Sequence, residues 1–326
     1  MRITIPDDYQ DCVRRLKCFA TLAEHDVTVF NDTVKDIKTL AARFADAQAI
    51  VLTRERTKIT AELLDQLPHL QMICQTGKLA GHVDLAACTQ RGVAVAEGSG
   101  TGSATAEMTW ALILASRRHL VSEANRLRGG LWQGSIGQPL QGQRLGIWSY
   151  GRIGQQVAAY GKAFGMRVWV WGRAGSSAKA QVDGFELAPS RDAFFSESDV
   201  ISLHVRLNAD THGIVGEKDL ARMKSTALLV NTSRAELIAP DALAQALRLG
   251  RPGFAAVDVY EDEPVLGAAH PLLRLPNALC TPHLGYVETD NYERYFGLAF
   301  DHINHFAAGR PTGLVNPEYI QHMQAQ

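Results

Sequence analysis

The chain has 326 residues, enough for two ordinary domains with separate cores. Its 33 basic and 34 acidic residues nearly cancel, which argues against a global field for nucleic acid or anionic membrane. A composition of 46% hydrophobic and 21% charged residues is that of a globular protein and excludes a disordered one. Five cysteines, odd in number and without C-x-x-C spacing, predict reduced thiols in a cytoplasmic protein, not staples or metal ligands. The opening MRITIPDDYQD has no apolar run behind a basic segment, so no secretory leader is expected. The most apolar helix candidate, TWALILAS at 109–116, is too short to span a bilayer.

In chain order, the strand candidates RITI (2–5), VTVF (27–30), AIVL, LQMIC (70–74) and VAVA (93–96) alternate with helix-like segments near 9–24, 34–45, 60–66 and 84–91. This alternation predicts a small open sheet of flavodoxin-like type. A long helix is predicted from Ala104 to Leu120, followed by the glycine-rich connection GGLWQGSIGQPLQGQ (129–143). Six further strands come next: RLGIW (144–148), RVWVW (167–171), DVISLH (199–204), ALLVN (227–231), GFAAVDV (253–259) and ALCTP (278–282). They suit a doubly wound dinucleotide-binding domain. A second long helix is predicted from Tyr292 to Ala308. The expected fold class is α/β with two domains, a Rossmann-type doubly wound parallel sheet inserted into a flavodoxin-like substrate domain. The expected boundaries are 1–103 plus 296–326 for the substrate domain and 104–295 for the dinucleotide-binding domain. The C-terminal tail is expected to return to the first domain.

The turn Ser149-Tyr150-Gly151-Arg152-Ile153-Gly154 stands between a strand and a helix and approximates G-x-G-x-x-G, with Ser149 in place of the first glycine. Gly151 would let the backbone approach a pyrophosphate, Gly154 would let helix and sheet pack, and Arg152 would add a charged contact. Ser149 would cost on the order of 1 kcal/mol if its backbone is strained, and nothing if its φ is negative. The next strand ends in Trp171-Gly172-Arg173, where a carboxylate for the adenosine ribose is usual in NAD sites. Gly172 and Arg173, with Ser176, Ser177 and Lys179 behind, favour the 2′-phosphate of NADP over NAD. The bland alternatives are a plain strand-to-helix turn and a solvated arginine.

Three segments at predicted strand ends carry reactive residues: NTSRAE (231–236), VDVYEDEP (257–264) and TPHLG (281–285). With LQGQRLGIWSYGRIG, DVISLHVRLNADTHGIV, MKSTALLVNTSRAELI and TPHLGY in the same order, nearly the whole chain resembles the D-isomer-specific 2-hydroxyacid dehydrogenases. That family includes D-3-phosphoglycerate dehydrogenase and the glyoxylate and hydroxypyruvate reductases. The resemblance implies that Arg234 holds the substrate carboxylate, that Glu263 pairs with His283, and that His283 is the acid/base. It places Asp258 near the nicotinamide carboxamide, and His204, Thr232, Ser233 and Gly285 with the cofactor. It also implies a homodimer, with Ala104 to Leu120 in the interface. Departures are Ser149, Gly172, and Arg206 where proline is frequent; the first two bear on cofactor affinity and choice, and neither touches the catalytic set.

Residue chemistry supports those roles. Reducing a 2-oxo acid needs a hydride donor, a cation for the carboxylate and a proton for the developing alkoxide. Arginine offers a planar fork for a carboxylate, and histidine exchanges protons near neutrality. An adjacent glutamate would favour the protonated ring. Against these stand an exposed loop arginine, a solvated acidic turn and a structural histidine. His302 and His305 share a helix face, yet no further ligand set accompanies them, so no metal is expected. In the first domain, QTGKLAGHVD (75–84) offers Thr76, Gly77 and Lys78 for a carboxylate. TRERTK (53–58) offers Arg54, Arg56 and Lys58, which leaves a phosphorylated and a smaller 2-oxo acid both open. The expectation is a cytoplasmic NAD(P)-dependent oxidoreductase of D-2-hydroxy acids, homodimeric, without nucleic-acid or membrane partners. The alternatives are a dinucleotide-sensing corepressor-like binding protein and a formate-type dehydrogenase.

Overall fold

A computed structural model describes residues 1–323. The chain divides into two compact units, Met1–Thr101 together with the segment from Glu288 onward, and Gly102–Val287. The sequence placed the crossings at 103/104 and 295/296.

In the first unit, β1 (Arg2–Ile5), β2 (Asp26–Val29), β3 (Ala49–Leu52), β4 (Met72–Gln75) and β5 (Ala94–Glu97) run parallel in the order β2-β1-β3-β4-β5. Every residue of β3 and β4 is buried, as continuous apolar runs covered on both faces should be. The helix expected at 9–24 does not form; two 3-10 turns, Val13–Arg15 and Lys17–Leu22, stand there. The reason is competition for backbone donors. The Asp8 carboxylate takes the N–H groups of Cys12 and Val13, both at 3.0 Å. The Glu293 carboxylate takes those of Lys17 at 2.6 Å and Cys18 at 3.0 Å. Helix Thr289–Ala307 packs on the second turn, with the rings of Phe19 and Phe300 6.2 Å apart. The tail returns to β5, where Val315 N–H donates to the Val95 carbonyl at 2.9 Å and the buried Asn316 accepts from Val95 N–H at 2.8 Å.

In the second unit, β6 (Arg144–Trp148), β7 (Arg167–Trp171), β8 (Glu186–Leu187), β9 (Val200–Leu203), β10 (Leu228–Asn231), β11 (Phe254–Val257) and β12 (Ala278–Cys280) form a parallel sheet ordered β12-β11-β10-β9-β6-β7-β8. The two-residue β8 extends the six expected strands by one. The order reverses between β6 and β9, and in such a sheet ligands lie beyond the strand C-termini at that reversal. Alternation along the strands builds two cores. Trp148, Ile201, Leu203, Phe194 and Phe195 face one side; Leu145, Ile147, Val168, Val170 and Val200 face the other. The predicted Ala104–Leu120 helix is two helices, Ser103–Arg117 and Leu120–Arg128, separated where His119 adopts φ +51°. The first packs on helix Arg152–Ala163 and on β10, and Arg117, buried, donates to the Thr226 and Asp199 carbonyls at 2.8 and 3.1 Å.

Candidate active site

The turn after β6 has the form a dinucleotide needs. Gly151 is extended (φ −82°, ψ −166°) and caps helix Arg152–Ala163, so the first helical N–H groups, those of Arg152 and Ile153, have no intrahelical acceptor. Such a helix start attracts phosphate through its donors and its dipole. A Cβ added at Gly151 would meet nothing within 4 Å, which leaves room for close approach of a ligand; one added at Gly154 would lie 2.3 Å from the Ser149 carbonyl oxygen. Gly154 therefore sets the helix–strand spacing, and the residues present fit a pyrophosphate. Ser149 does carry the strain that its glycine would have avoided, at φ +77°. Tyr150 lends only backbone here: its ring is buried beside Phe185 and its phenol donates to Asp183 at 2.9 Å. Ile153 is half-buried, packed on the core. After β7, Gly172 is followed by the exposed Arg173, which precedes helix Ala174–Val182, and no acidic side chain stands at either position. After β9, His204 bonds Ser202 Oγ at 2.9 Å, and burial pushes its pKa down to about 4, so the ring is neutral.

The loop after β10 is ordered by its own hydrogen bonds. Asn231 accepts from Ser233 N–H at 3.0 Å and donates to the Arg234 carbonyl at 2.8 Å; Ser233 Oγ donates to the Val205 carbonyl at 2.7 Å. Thr232 Oγ lies 2.7 Å from Thr109 Oγ, which fixes the loop to helix Ser103–Arg117. Arg234 is half-buried, with Nη1 donating to the Ser233 carbonyl at 2.7 Å.

After β12, His283 Nδ1 lies 2.6 Å from Glu263 Oε2, and the other glutamate oxygen accepts from Tyr260 N–H at 3.0 Å. The two side chains are 19% and 22% exposed, accessible to a ligand yet shielded from bulk water. His283 has φ +53°, an uncommon backbone for a non-glycine residue. Asp258 holds it there. This fully buried carboxylate accepts from Thr281 Oγ at 2.6 Å, Leu284 N–H at 2.8 Å and Gly285 N–H at 2.7 Å, clamping both flanks of the histidine. Burial raises the Asp258 pKa, opposed by these hydrogen bonds. Gly285 is fixed again through its carbonyl, which accepts from Thr105 Oγ at 2.8 Å. Tyr260 Oη donates to the Thr281 carbonyl at 3.0 Å, and the Tyr286 ring meets His283 edge-on at 5.3 Å. Sequence reasoning placed Asp258 with the cofactor and missed this clamp; its only trace is the spacing of VDV from TPHLG.

In the first unit, the loops after β3 and β4 interlock. Arg54 (φ +54°) donates its N–H to Thr76 Oγ at 2.9 Å and Nη1 to the Thr76 carbonyl at 3.0 Å, with its guanidinium 5.5 Å from the Tyr295 ring centre. Thr76 Oγ in turn donates to the Leu52 carbonyl at 2.8 Å. Gly77 (φ +89°) admits that arginine, since an added Cβ would lie 2.0 Å from Arg54 Nη1. Lys78 pairs with Glu97, and Arg56 stacks on Tyr9 at 4.6 Å. Among the described residues, no group of three or more potential metal ligands comes together, and no helix is long and apolar enough to cross a membrane.

The sheet order and the phosphate-type turn define a dinucleotide-binding protein, and the Glu263–His283 pair offers acid–base chemistry. The NAD-binding domain of the D-isomer specific 2-hydroxyacid dehydrogenases matches residues 110–285, and the chain belongs to that family. It is an NAD(P)-dependent 2-hydroxyacid dehydrogenase, an oxidoreductase of 2-hydroxy and 2-oxo acids. It is 37% identical over 294 residues to a glyoxylate reductase from Aeropyrum pernix, covering 86% of this chain and 85% of that one. A solved phosphoglycerate oxidoreductase from Vibrio cholerae O395 is 49% identical, with TM-score 0.93, covering 95% of this chain and 99% of that one. A solved structure from Ralstonia solanacearum is 51% identical, with TM-score 0.96, covering 98% of each chain.

Proposed function

We propose that the chain reduces small, unphosphorylated 2-oxo acids such as glyoxylate and hydroxypyruvate, preferring NADPH, as a homodimer in the cytoplasm. The observation that carries the reaction is His283, oriented by Glu263 at 2.6 Å. With Nδ1 engaged, Nε2 is the nitrogen left to protonate the developing alkoxide. Arg234 offers its fork to the substrate carboxylate. The bound nicotinamide supplies the hydride. Gly151, Arg152 and Ile153 take the pyrophosphate on a turn whose spacing Gly154 sets, while His204, Thr232, Ser233, Asp258 and Gly285 line the cofactor.

The choice of substrate rests on the cations of the first unit. A phosphate would call for several cations without other duties, whereas Arg54 bonds the Thr76 carbonyl, Arg56 stacks on Tyr9 and Lys78 pairs with Glu97, which leaves the exposed Lys58 alone for that task. Gly77 and Lys78 are better suited to meet a carboxylate through backbone N–H groups, the Thr76 N–H being taken by the Leu52 carbonyl at 3.0 Å. Preference for NADPH follows from Gly172 and the exposed Arg173. Five free cysteines accord with a reducing compartment. For the homodimer, the helix expected to serve buries Ala106, Trp110, Leu112 and Ile113 within its own unit. The apolar surface lies further on, at Leu120, Leu127, Leu131, Trp132 and Ile136, each at least 53% exposed.

The test is steady-state turnover with hydroxypyruvate and phosphohydroxypyruvate, each with NADPH and NADH. The expected result is a kcat/KM for hydroxypyruvate higher by about tenfold or more, equivalent to roughly 1.4 kcal/mol. A preference for the phosphorylated acid would overturn the substrate assignment. Sedimentation should show a dimer that Trp132→Glu dissociates; a parent monomer would remove the oligomer from the proposal.

A further inference from the structure

The strained turn after β6 has a brace outside the glycine fingerprint. Ser149 sits at φ +77°, and its own N–H donates to the Trp171 carbonyl at 2.7 Å. The next N–H, that of Tyr150, donates to Ser176 Oγ in the first turn of helix Ala174–Val182. The Tyr150 side chain runs along the same helix to Asp183, the residue that caps its other end. Tyr150 is thus fastened to both ends of the helix that follows β7. Ser176 also covers Gly172, where an added Cβ would lie 3.2 Å from Ser176 Cβ and 3.3 Å from its Oγ. One hydroxyl therefore joins the turn that meets the pyrophosphate to the turn that meets the adenosine ribose.

We propose that Ser176 is a positioning residue for the dinucleotide, its hydroxyl holding the left-handed Ser149 turn in the shape that receives the pyrophosphate. This rests on the dinucleotide dependence of the family. Glycine occupies left-handed backbone without strain, so a chain with glycine at this position needs no brace; serine does. Without the acceptor, the Tyr150 N–H is left unpaired beside a buried ring, and Ser149 relaxes toward negative φ. Gly151 and the N–H groups of Arg152 and Ile153 then leave their positions. The effect falls on the pyrophosphate, which NADH and NADPH share, and not on the 2′-phosphate.

The test is a double-mutant cycle read by equilibrium binding of NADPH and of NADH, using quenching of the intrinsic tryptophan fluorescence. Ser176→Ala should weaken both dinucleotides by the same factor, about five- to tenfold, as the turn gives up the left-handed shape that is strained for a non-glycine residue. The loss should appear in the cofactor KM and not in kcat. Ser176→Thr should restore binding. In the Ser149→Gly background, Ser176→Ala should cost about twofold or less, because the strain it opposed is gone. A loss confined to NADPH would make Ser176 a 2′-phosphate ligand and overturn the proposal, as would equal losses in both backgrounds or no loss. Should Ser176→Ala not fold, Ser176→Cys, of similar size with a weaker acceptor, is read in the same way. A parent that binds neither dinucleotide removes the underlying reading; a parent that binds without coupling removes this proposal alone.

Discussion

Asp258→Asn isolates the clamp on His283. The carboxylate accepts two bonds at Oδ1, from Thr281 and Leu284, and one at Oδ2, from Gly285. An asparagine can keep its carbonyl toward the first pair, but its NH2 then faces the Gly285 N–H, donor against donor. One charge-assisted bond is lost and one buried N–H is left unpaired, a cost of about 1–3 kcal/mol. The left-handed backbone at His283 carries strain of about 1–2 kcal/mol, which the clamp must exceed. The substitution removes that margin. The melting midpoint of the unit should fall by about 2–4 °C per kcal/mol lost. As His283 leaves its aim, kcat/KM for the 2-oxo acid should fall by about ten- to a hundredfold. Thermal unfolding and steady-state kinetics on the same preparations measure both. An unchanged midpoint with the whole loss in cofactor KM would show that Asp258 acts only as a cofactor contact, and the clamp argument would fail.

Arg234→Ala should reduce kcat/KM for 2-oxo acids by about a hundredfold or more while leaving dinucleotide affinity unchanged, since it removes the carboxylate fork alone; kinetics with a parallel binding titration decide, and parental kinetics discard the role. Gly172→Asp should move selectivity toward NADH, though only modestly, because its Cβ presses on Ser176 at 3.2 Å; unchanged NADPH/NADH ratios would remove the argument from Gly172 and Arg173. His204, held at about 4 in the fold against an ordinary value near 6.5, binds its proton in the unfolded chain first. Its contribution is therefore complete above about pH 6.5 and lost as pH falls toward 4. His204→Gln should flatten the fall in melting midpoint across that window, and superimposable pH profiles would contradict the assignment.

Strands were legible because central parallel strands are continuous apolar runs, and the contact of Glu263 with His283 through the family resemblance of VDVYEDEP and TPHLG. Positions decided by distant side chains were not legible. The helix pattern at 9–24 yields to the Glu293 carboxylate, which lies 276 residues along the chain from Lys17. The break at His119 depends on a single left-handed residue with no glycine to mark it. Ser149 left two possibilities open, and only its φ of +77° shows that the missing glycine has a cost. The apolar sequence of helix Ser103–Arg117 did not tell which side chains it buries: Trp110, Leu112 and Ile113 pack within their own unit, while Leu127, Leu131 and Trp132 beyond it are exposed.

The proposed function turns on proton delivery by His283 to a 2-oxo acid reduced from the nicotinamide. The most direct measurement is reduction of hydroxypyruvate by NADPH, with the chirality of the glycerate determined by chromatography. Turnover should give the D-isomer and should be abolished by His283→Ala with NADPH binding retained. Tight dinucleotide binding without turnover, L-glycerate as product, or full activity in His283→Ala would contradict it.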